Sequence, residues 1–234
     1  MTFAYSVVIP AYEAAATVGA AVDSILRQTV LPHEIIVVDD GSTDETASVA
    51  SAIPGPITVV RRAHAGPGAA TTAGLERVAT PFVATLDADD LWLPEKIARQ
   101  AAHFEADPGL AGVFTLGRLF IDGQPPDPDG NGAVVRLWTR TTLLFRSDAA
   151  REVGAVHDLP GRLGEMVDWL ARSRDLGQRH AMVEEILALR RIRRGSLSFG
   201  LDRDRSRGYL VAAHAALERR RLRAREQAGP ASDG

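Results

Sequence analysis

The sequence predicts an α/β fold in which a mostly parallel sheet is covered by helices, with a smaller mixed region after it. The first observation behind this is a series of short, continuously apolar segments alternating with stretches of helical spacing. Strands buried on both faces read as unbroken apolar runs, which is what a helix-covered parallel sheet requires. The second is that two of these runs end in acidic clusters, Asp39-Asp40 and Asp87-Ala88-Asp89-Asp90. Ligands of open α/β sheets lie beyond the carboxyl ends of the strands. Two acidic strand ends in one sheet therefore make a candidate site.

Ser6 to Ile9 is a β-branched run stopped by Pro10, and Thr17 to Thr29 places Val18, Ala21, Val22, Ile25 and Leu26 at helical spacing. Ile35 to Val38 follows as a strand, and Ser42-Thr43-Asp44-Glu45 predicts a helix start with carboxylates near the first free amides. Ile57 to Val60 gives a third strand, Ala69 to Val78 a third helix, and Phe82 to Leu86 a fourth strand. Pro94 suits a first helical turn, so Glu95 to Ala106 reads as a helix packed on Ile97, Ala101 and Phe104. Past residue 112 the character changes. Val113 to Ile121 and Ala133 to Phe145 read as strands around the turn-rich stretch from Asp122 to Gly132. Ser147 to Val153 and Glu165 to Leu176 read as helices, and Met182 to Ile192 as an extended or helical segment. Ser206 to Gln227 predicts a basic helix, and Ala228 to Gly234 a frayed tail.

With 234 residues and 45% hydrophobic content the chain can bury one substantial core or two small lobes. A net charge of -3, without a single-sign block in the first half, argues against a nucleic-acid binder held by phosphate neutralisation. Cysteine is absent, which excludes disulfides and thiolate chemistry. The opening residues carry no basic flank, and no apolar run approaches membrane length, so a cytoplasmic protein without a transmembrane segment is expected. The terminal helix, with Arg219, Arg220, Arg221, Arg223 and Arg225, suits a peripheral membrane contact, an acidic partner, a homodimer contact or plain solvent.

Closely packed carboxylates repel, so the Asp87 cluster is most easily tolerated where a divalent cation or a ring of donors neutralises it. Magnesium or manganese takes oxygen ligands, retains waters and shares its other positions with phosphate oxygens. One of Asp87 and Asp89 can then orient a sugar or ribose hydroxyl while the other binds the cation directly; the plain alternative is that Asp87 and Asp90 form turns or cap the helix holding Lys96. Tyr12 and Glu13 leave the first strand, where an aromatic ring suits a planar base, and Asp39 can accept from a base N–H. Tyr12 as a half-buried loop aromatic is the alternative. Gly66 and Gly68 fit neither standard nucleotide fingerprint, and His64 beside them reads equally as a surface or packing residue. Glu165 and Asp168 can share one helical face and supply a general base for an acceptor hydroxyl. Helix capping and a salt link from Asp168 to Arg172 compete with that reading. Arg190, Arg191, Arg193 and Arg194 form a cationic segment suited to clamping a diphosphate or to facing solvent.

Three segments carry a family resemblance: Ser6-Val7-Val8-Ile9-Pro10-Ala11-Tyr12, Val37-Val38-Asp39-Asp40-Gly41-Ser42-Thr43-Asp44, and Leu86-Asp87-Ala88-Asp89-Asp90-Leu91-Trp92-Leu93-Pro94-Glu95-Lys96-Ile97. In order and separation they resemble the family-two inverting glycosyltransferases of GT-A fold, with a Rossmann-like central sheet flanked by helices and a smaller mixed acceptor-side region. The match is close over residues 4–106 and looser over 140–200. The resemblance implies a nucleotide-sugar-binding half at 1–112, an acceptor-binding and catalytic half at 113–200, and a basic C-terminal helix and tail at 201–234. It implies transfer of one sugar from a nucleotide diphosphate sugar, usually a UDP-sugar, with Mn2+ or Mg2+ between protein and diphosphate. The acceptor class stays open among small molecules, peptides, glycans and lipid-linked molecules.

The same resemblance makes Pro10, Tyr12, Glu13, Asp39, Asp87 and Ala88 donor contacts and Asp89 the metal ligand. Three departures stand out. The arginine that often follows the glycine loop is Thr71 here. The Glu-Asp pair of the catalytic helix is Glu165-Met166, with a second acidic position at Asp168. Met166 cannot accept a proton, so Glu165 is the expected base and Asp168 the reserve. A late family histidine is Arg193, whose charge can compensate for Thr71 at the donor. A nucleotide-sugar-binding scaffold with impaired catalysis is the alternative from a different class.

Overall fold

The computed structural model describes residues 3–136, 138–160, 164–193 and 207–227. Its first strand, β1 (Tyr5–Ala11), is buried along its whole length, as an unbroken apolar run demands. Helix α1 (Val18–Leu26), strand β2 (Glu34–Asp39), helix α2 (Thr46–Ser51), strand β3 (Ile57–Arg61), helix α3 (Pro67–Leu75) and strand β4 (Phe82–Thr85) follow in the expected alternation. A short strand β5 (Leu91–Trp92) then leads into helix α4 (Lys96–Ala106). The later elements are β6 (Leu110–Ile121), β7 (Val134–Arg136), a 3-10 turn (Arg140–Thr142), β8 (Leu144–Arg146), α5 (Ser147–Val153), α6 (Glu165–Asp175), β9 (Arg179–Ile192) and α7 (Arg207–Gln227).

Among the described residues the strands form one nine-stranded sheet in the order β3-β2-β1-β4-β8-β6-β9-β5, with β7 added beside β6. Its first four strands are mutually parallel. Beyond them β8 runs antiparallel to both β4 and β6, β6 and β9 pair in parallel, and β5 and β7 attach antiparallel. The α/β architecture is as expected, whereas the expectation of a mostly parallel sheet is corrected to a mixed one. The reason is connectivity: β6 returns through β7 and a tight turn to β8 without a crossover helix, and a short return permits only antiparallel pairing.

Alternation along the central strands divides the core into two layers. Val7, Ile9, Ile35 and Val37 pack beneath Val22 and Ile25 of α1, while Val8, Ile36 and Val38 pack on the opposite face with Ala70, Phe145 and Trp169. Helix α3 comes close enough to β1 that a Cβ on Gly74 would lie 2.3 Å from Val8 Cγ1. Glycine at that point sets how deeply α3 sits on the sheet.

Three sequence expectations change in detail. Helix α2 begins at Thr46 because the residues before it make a turn: Ser42 N–H donates to Asp39 Oδ1 (3.0 Å) and Thr43 N–H to Glu13 Oε1 (2.7 Å). The segment from Met182 to Ile192 lies in strand β9. The stretch from Ala133 to Phe145 is not one strand, because four consecutive carbonyls in it are taken by side chains. Arg140 O accepts from Thr85 Oγ1 (2.8 Å), Thr141 O from Trp92 Nε1 (2.7 Å), Thr142 O from Gln100 Nε2 (2.8 Å) and Leu143 O from Lys96 Nζ (3.4 Å). Groups committed in this way cannot join a ladder.

Lys96 is fully buried in this clamp, with its amine 4.1 Å over the Trp92 ring and donating to Gln100 Oε1 at 2.8 Å. Burial pulls its pKa well below the ordinary lysine value. Helix α7 rests on α6 through buried Ala212 and through Arg219, whose guanidinium meets Asp175 at 2.8 Å and Asp168 at 3.1 Å. No helix among the described residues is long and apolar enough to cross a membrane.

The packing of α3 yields a stability prediction. Gly74→Ala should cost about 1–3 kcal/mol by overpacking against Val8, measured by urea unfolding. An unchanged midpoint would mean that α3 can shift outward without penalty.

Candidate active site

The carboxyl ends of β1 and β4, the start of α6 and the end of β9 meet around a cavity of about 470 Å³. Pro10, Tyr12 and Glu13 line it from the β1 exit, and Asp87, Ala88 and Asp89 from the β4 exit. Glu165 and Arg193 face it from the other side. The structure thus gathers eight of the ten residues singled out in the sequence. Asp39 and Asp168 are not in the wall.

Asp39 is fully buried behind the turn that follows β2, with Oδ1 accepting from Ser42 N–H. Its Oδ2 lies 3.3 Å from Arg61 Nε and takes no hydrogen bond among the described residues. The neighbouring carboxylate, Asp40, reaches the wall instead. Asp40 accepts from Gly66 N–H at 2.7 Å and from Ala65 N–H at 3.2 Å, which fixes the glycine-bearing loop before α3. Asp168 is removed from the cleft by Arg172 (3.0 Å), Arg219 (3.1 Å) and, more distantly, His157 (3.8 Å). The salt link to Arg172 read from the sequence is formed. Asp168, the expected reserve base, thus lies outside the cavity wall, held between α6 and α7 by Arg172 and Arg219.

At the β1 exit Glu13 adopts a left-handed backbone with φ of 50°. Its N–H donates to Ser42 Oγ at 3.0 Å, and its carboxylate accepts from Thr43, so the turns after β1 and β2 are pinned to each other. The Tyr12 ring stands 4.1 Å from the His64 ring, and His64 Nδ1 lies 3.0 Å from Asp40 Oδ2. His64 backs the tyrosine that the sequence offers as a platform.

The three carboxylates after β4 have separate environments. Asp87 Oδ1 meets Arg140 Nε at 2.6 Å. Asp90 is buried, accepting from Arg191 N–H at 2.8 Å and from the Thr141 hydroxyl. Burial, reinforced by the charges of Asp89 and Asp87, pushes its carboxyl well above the ordinary range. Asp89 faces the cavity with Arg193 Nε 3.6 Å away. Burial and the Asp87 charge raise its pKa, against the pull of Arg193 and Arg191.

No group of three or more His, Asp or Glu able to hold a metal occurs among the described residues. A single hard carboxylate in the cavity wall still fits a magnesium or manganese ion that keeps several waters and takes its other ligands from phosphate oxygens. Asp89 is the residue that would hold it.

The sequence reading overlooked Arg140. It is 8% exposed, and it reaches Asp87 with Nε and Glu165 Oε1 with Nη1, the latter at 2.8 Å. Burial disfavours its charge, yet Asp87 and Glu165 outweigh that and hold its pKa above the ordinary arginine value. Trp138, also in the wall, went unnoticed for the same reason: both lie in the stretch read as a strand. Thr71, where the resemblance leads one to expect arginine, is buried and donates to Pro67 O at 2.7 Å.

The family model for glycosyl transferase family 2 matches residues 6–131, more than half of the chain. The chain belongs to glycosyl transferase family 2. Among relatives of this family 2 chain, succinoglycan biosynthesis protein ExoO of Rhizobium meliloti is 28% identical over 91% of this chain and 67% of its own length. An uncharacterized glycosyltransferase of Nostoc sp. is 38% identical over 51% of this chain and 38% of its own length. The chain thus spans only part of the curated relatives it matches.

Two solved structures show the same GT-A-like fold. S. aureus TarS 1-349 in complex with UDP-GlcNAc aligns with a TM-score of 0.72 and 16% identity, over 92% of this chain and 66% of that one. Mannosyltransferase PcManGT from Pyrobaculum calidifontis, in complex with GDP-Man and Mn2+, aligns with a TM-score of 0.63 and 17% identity, over 97% and 76%.

The Asp90 environment in this family 2 chain makes a clean test of structural against chemical carboxylates. Asp90→Ala leaves the buried Arg191 N–H unpaired and should cost about 1–3 kcal/mol. Asp90→Asn keeps an acceptor for that amide and removes a buried charge, so its urea midpoint should match or exceed that of the parent. Equal losses in both variants would show that the charge itself is needed for folding.

Proposed function

We propose that this chain transfers a single sugar from a nucleotide diphosphate sugar, with uridine as the nucleotide, to an acceptor hydroxyl with inversion at the anomeric carbon. The observation that carries the reading is the convergence of Tyr12, Asp87, Asp89 and Glu165, from three separate strand and helix ends, on one cavity of about 470 Å³. Tyr12, backed by His64, supports the planar base. Asp39, buried behind the wall, supports this side of the site by holding the turn after β2, its Oδ1 accepting from Ser42 N–H. Asp87 contacts ribose or sugar hydroxyls, with Pro10 and Ala88 shaping the wall around them.

In the displacement the acceptor oxygen attacks the anomeric carbon from the face opposite the diphosphate, and the bond from that carbon to the phosphate oxygen breaks. Glu165 takes the acceptor proton, through Oε2, since Oε1 is held by Arg140. The leaving diphosphate keeps the electron pair. Asp89 would hold a manganese or magnesium ion, which would supply charge neutralisation there. Arg193, beside Asp89, adds a fixed positive charge on the same side.

A second reading, a donor-binding scaffold with impaired catalysis, draws on Met166 at the position of the family's second acidic residue and on the engagement of Asp168 by Arg172 and Arg219. Calorimetric titration with uridine, guanosine and thymidine diphosphate sugars, each with and without manganese, tests the donor. Manganese-dependent binding of one donor is expected, and no binding across the panel would overturn the reading. Slow nucleotide release without acceptor separates enzyme from scaffold.

Two substitutions test the roles. Asp89→Asn should weaken manganese-dependent donor binding about tenfold or more while leaving the thermal midpoint close to the parent's, since each tenfold step is 1.4 kcal/mol of binding. Undiminished metal dependence would remove Asp89 as the ligand. Glu165→Gln should spare donor binding and slow transfer about 100-fold or more; parental transfer rates would exclude it as the base.

A further inference from the structure

We propose that Arg140 is a positioning residue that joins the donor-side carboxylate Asp87 to the acceptor-side carboxylate Glu165, so that seating the donor also fixes the base. The proposal rests on Glu165 being the base in the reading above. It goes beyond that reading by assigning the coupling of the two half-sites to one side chain.

The geometry is specific. The guanidinium uses two different nitrogens, Nε toward Asp87 Oδ1 at 2.6 Å and Nη1 toward Glu165 Oε1 at 2.8 Å. A planar, rigid fork can hold two carboxylates in fixed mutual orientation, which a lysine ammonium, as a point charge on a flexible stem, cannot. Glu165 has no other hydrogen bond or ion pair among the described residues, so its orientation depends on this contact.

The backbone beneath Arg140 is equally constrained. Thr85, Trp92, Gln100 and Lys96 capture the carbonyls of Arg140, Thr141, Thr142 and Leu143 in turn. Thr141 adds a side-chain link to Asp90 in the donor loop. A merely structural ion pair needs no such support. Here a turn with every carbonyl captured presents one arginine between the two carboxylates that face the cavity, while Arg140 itself also lines that cavity. Groups supported in this way keep the sub-ångström placement that transfer chemistry demands.

The test uses Arg140→Lys, Arg140→Gln, Asp87→Asn, Glu165→Gln and the two double variants that combine Arg140→Gln with each carboxylate change. Binding is read with UDP and manganese chloride by calorimetry. Turnover is read as release of UDP from the UDP-sugar that binds in the donor panel. Arg140→Gln should weaken UDP binding about tenfold and lower kcat about 100-fold, as loss of a positioning group does. Arg140→Lys should bind UDP within about threefold of the parent yet keep kcat about tenfold low, because charge is restored without the fork.

In the cycles, Arg140→Gln with Asp87→Asn should bind UDP no worse than the weaker single variant. Arg140→Gln with Glu165→Gln should turn over no more slowly than the slower single variant, since residues acting as a unit are not additive. Additive losses in either cycle, or parental kcat in Arg140→Gln, would overturn the bridge. Should Arg140→Gln fail to fold, Arg140→Lys carries both cycles, and parental kcat in it would be equally decisive. Failure of the underlying reading looks different: Glu165→Gln then retains parental turnover, or the parent binds donor without releasing UDP, and the bridge falls with it.

Discussion

The cleft is organised around the mutual repulsion of Asp87, Asp89 and Asp90, carboxylates crowded at the end of one buried strand. Like charges a few ångströms apart in a partly desolvated site raise one another's pKa, and their burial is tolerated only where donors or cations answer each one. The chain answers them with separate groups. Arg140 takes Asp87, Thr141 and the Arg191 amide take Asp90, and Arg193 stands nearest Asp89. All of these come from the second half of the sequence. The acidic turn therefore dictates where β9 and the turn before β8 must lie, as much as hydrophobic packing does.

That dependence explains the sheet. Because β8 lies directly against β4, the 3-10 turn that precedes it, carrying Arg140, is delivered to the β4 exit. Strand β9, pairing with β6 and β5, brings Arg191 and Arg193 to the same turn. The buried Lys96, Gln100 and Trp92 side chains then lock the approach from below by occupying carbonyls that would otherwise need a neighbouring strand. A lysine with its amine out of water is costly. Its retention here is understandable as part of a satisfied network that specifies one path for the chain.

The sequence displayed the elements whose signal is local. Strands β1, β2 and β4 were legible because each is an uninterrupted apolar run, and the acidic clusters because carboxylates so seldom crowd a strand end without purpose. Arg140 was hidden for a physical reason. The residues around it, Trp138, Thr139, Thr141 and Thr142, are good strand formers, and the bonds that make them a turn come from side chains 42 to 55 residues away. Strand parity hid another point: of Asp39 and Asp40, one residue apart, only the second reaches the cavity wall. The position of Asp168 was equally unreadable, since Arg219, one of the cations that draws it away, lies 51 residues further along.

The removal of Asp168 bears on how the first turn of α6 can work. Glu165, Met166 and Val167 all face the cavity, while Asp168 turns toward α7. With methionine at the middle position, a second free carboxylate one turn along the helix would compete with Glu165 for the Arg140 guanidinium and for any acceptor proton. Arg219 and Arg172 take Asp168 out of that competition, and Asp175 completes the contact with Arg219. Helix α7 thus acts on the cleft without entering it. The ion pairs that fasten it to α6 also leave Glu165 as the single carboxylate that α6 offers to the cavity, and so give the Arg140 fork one partner on each side.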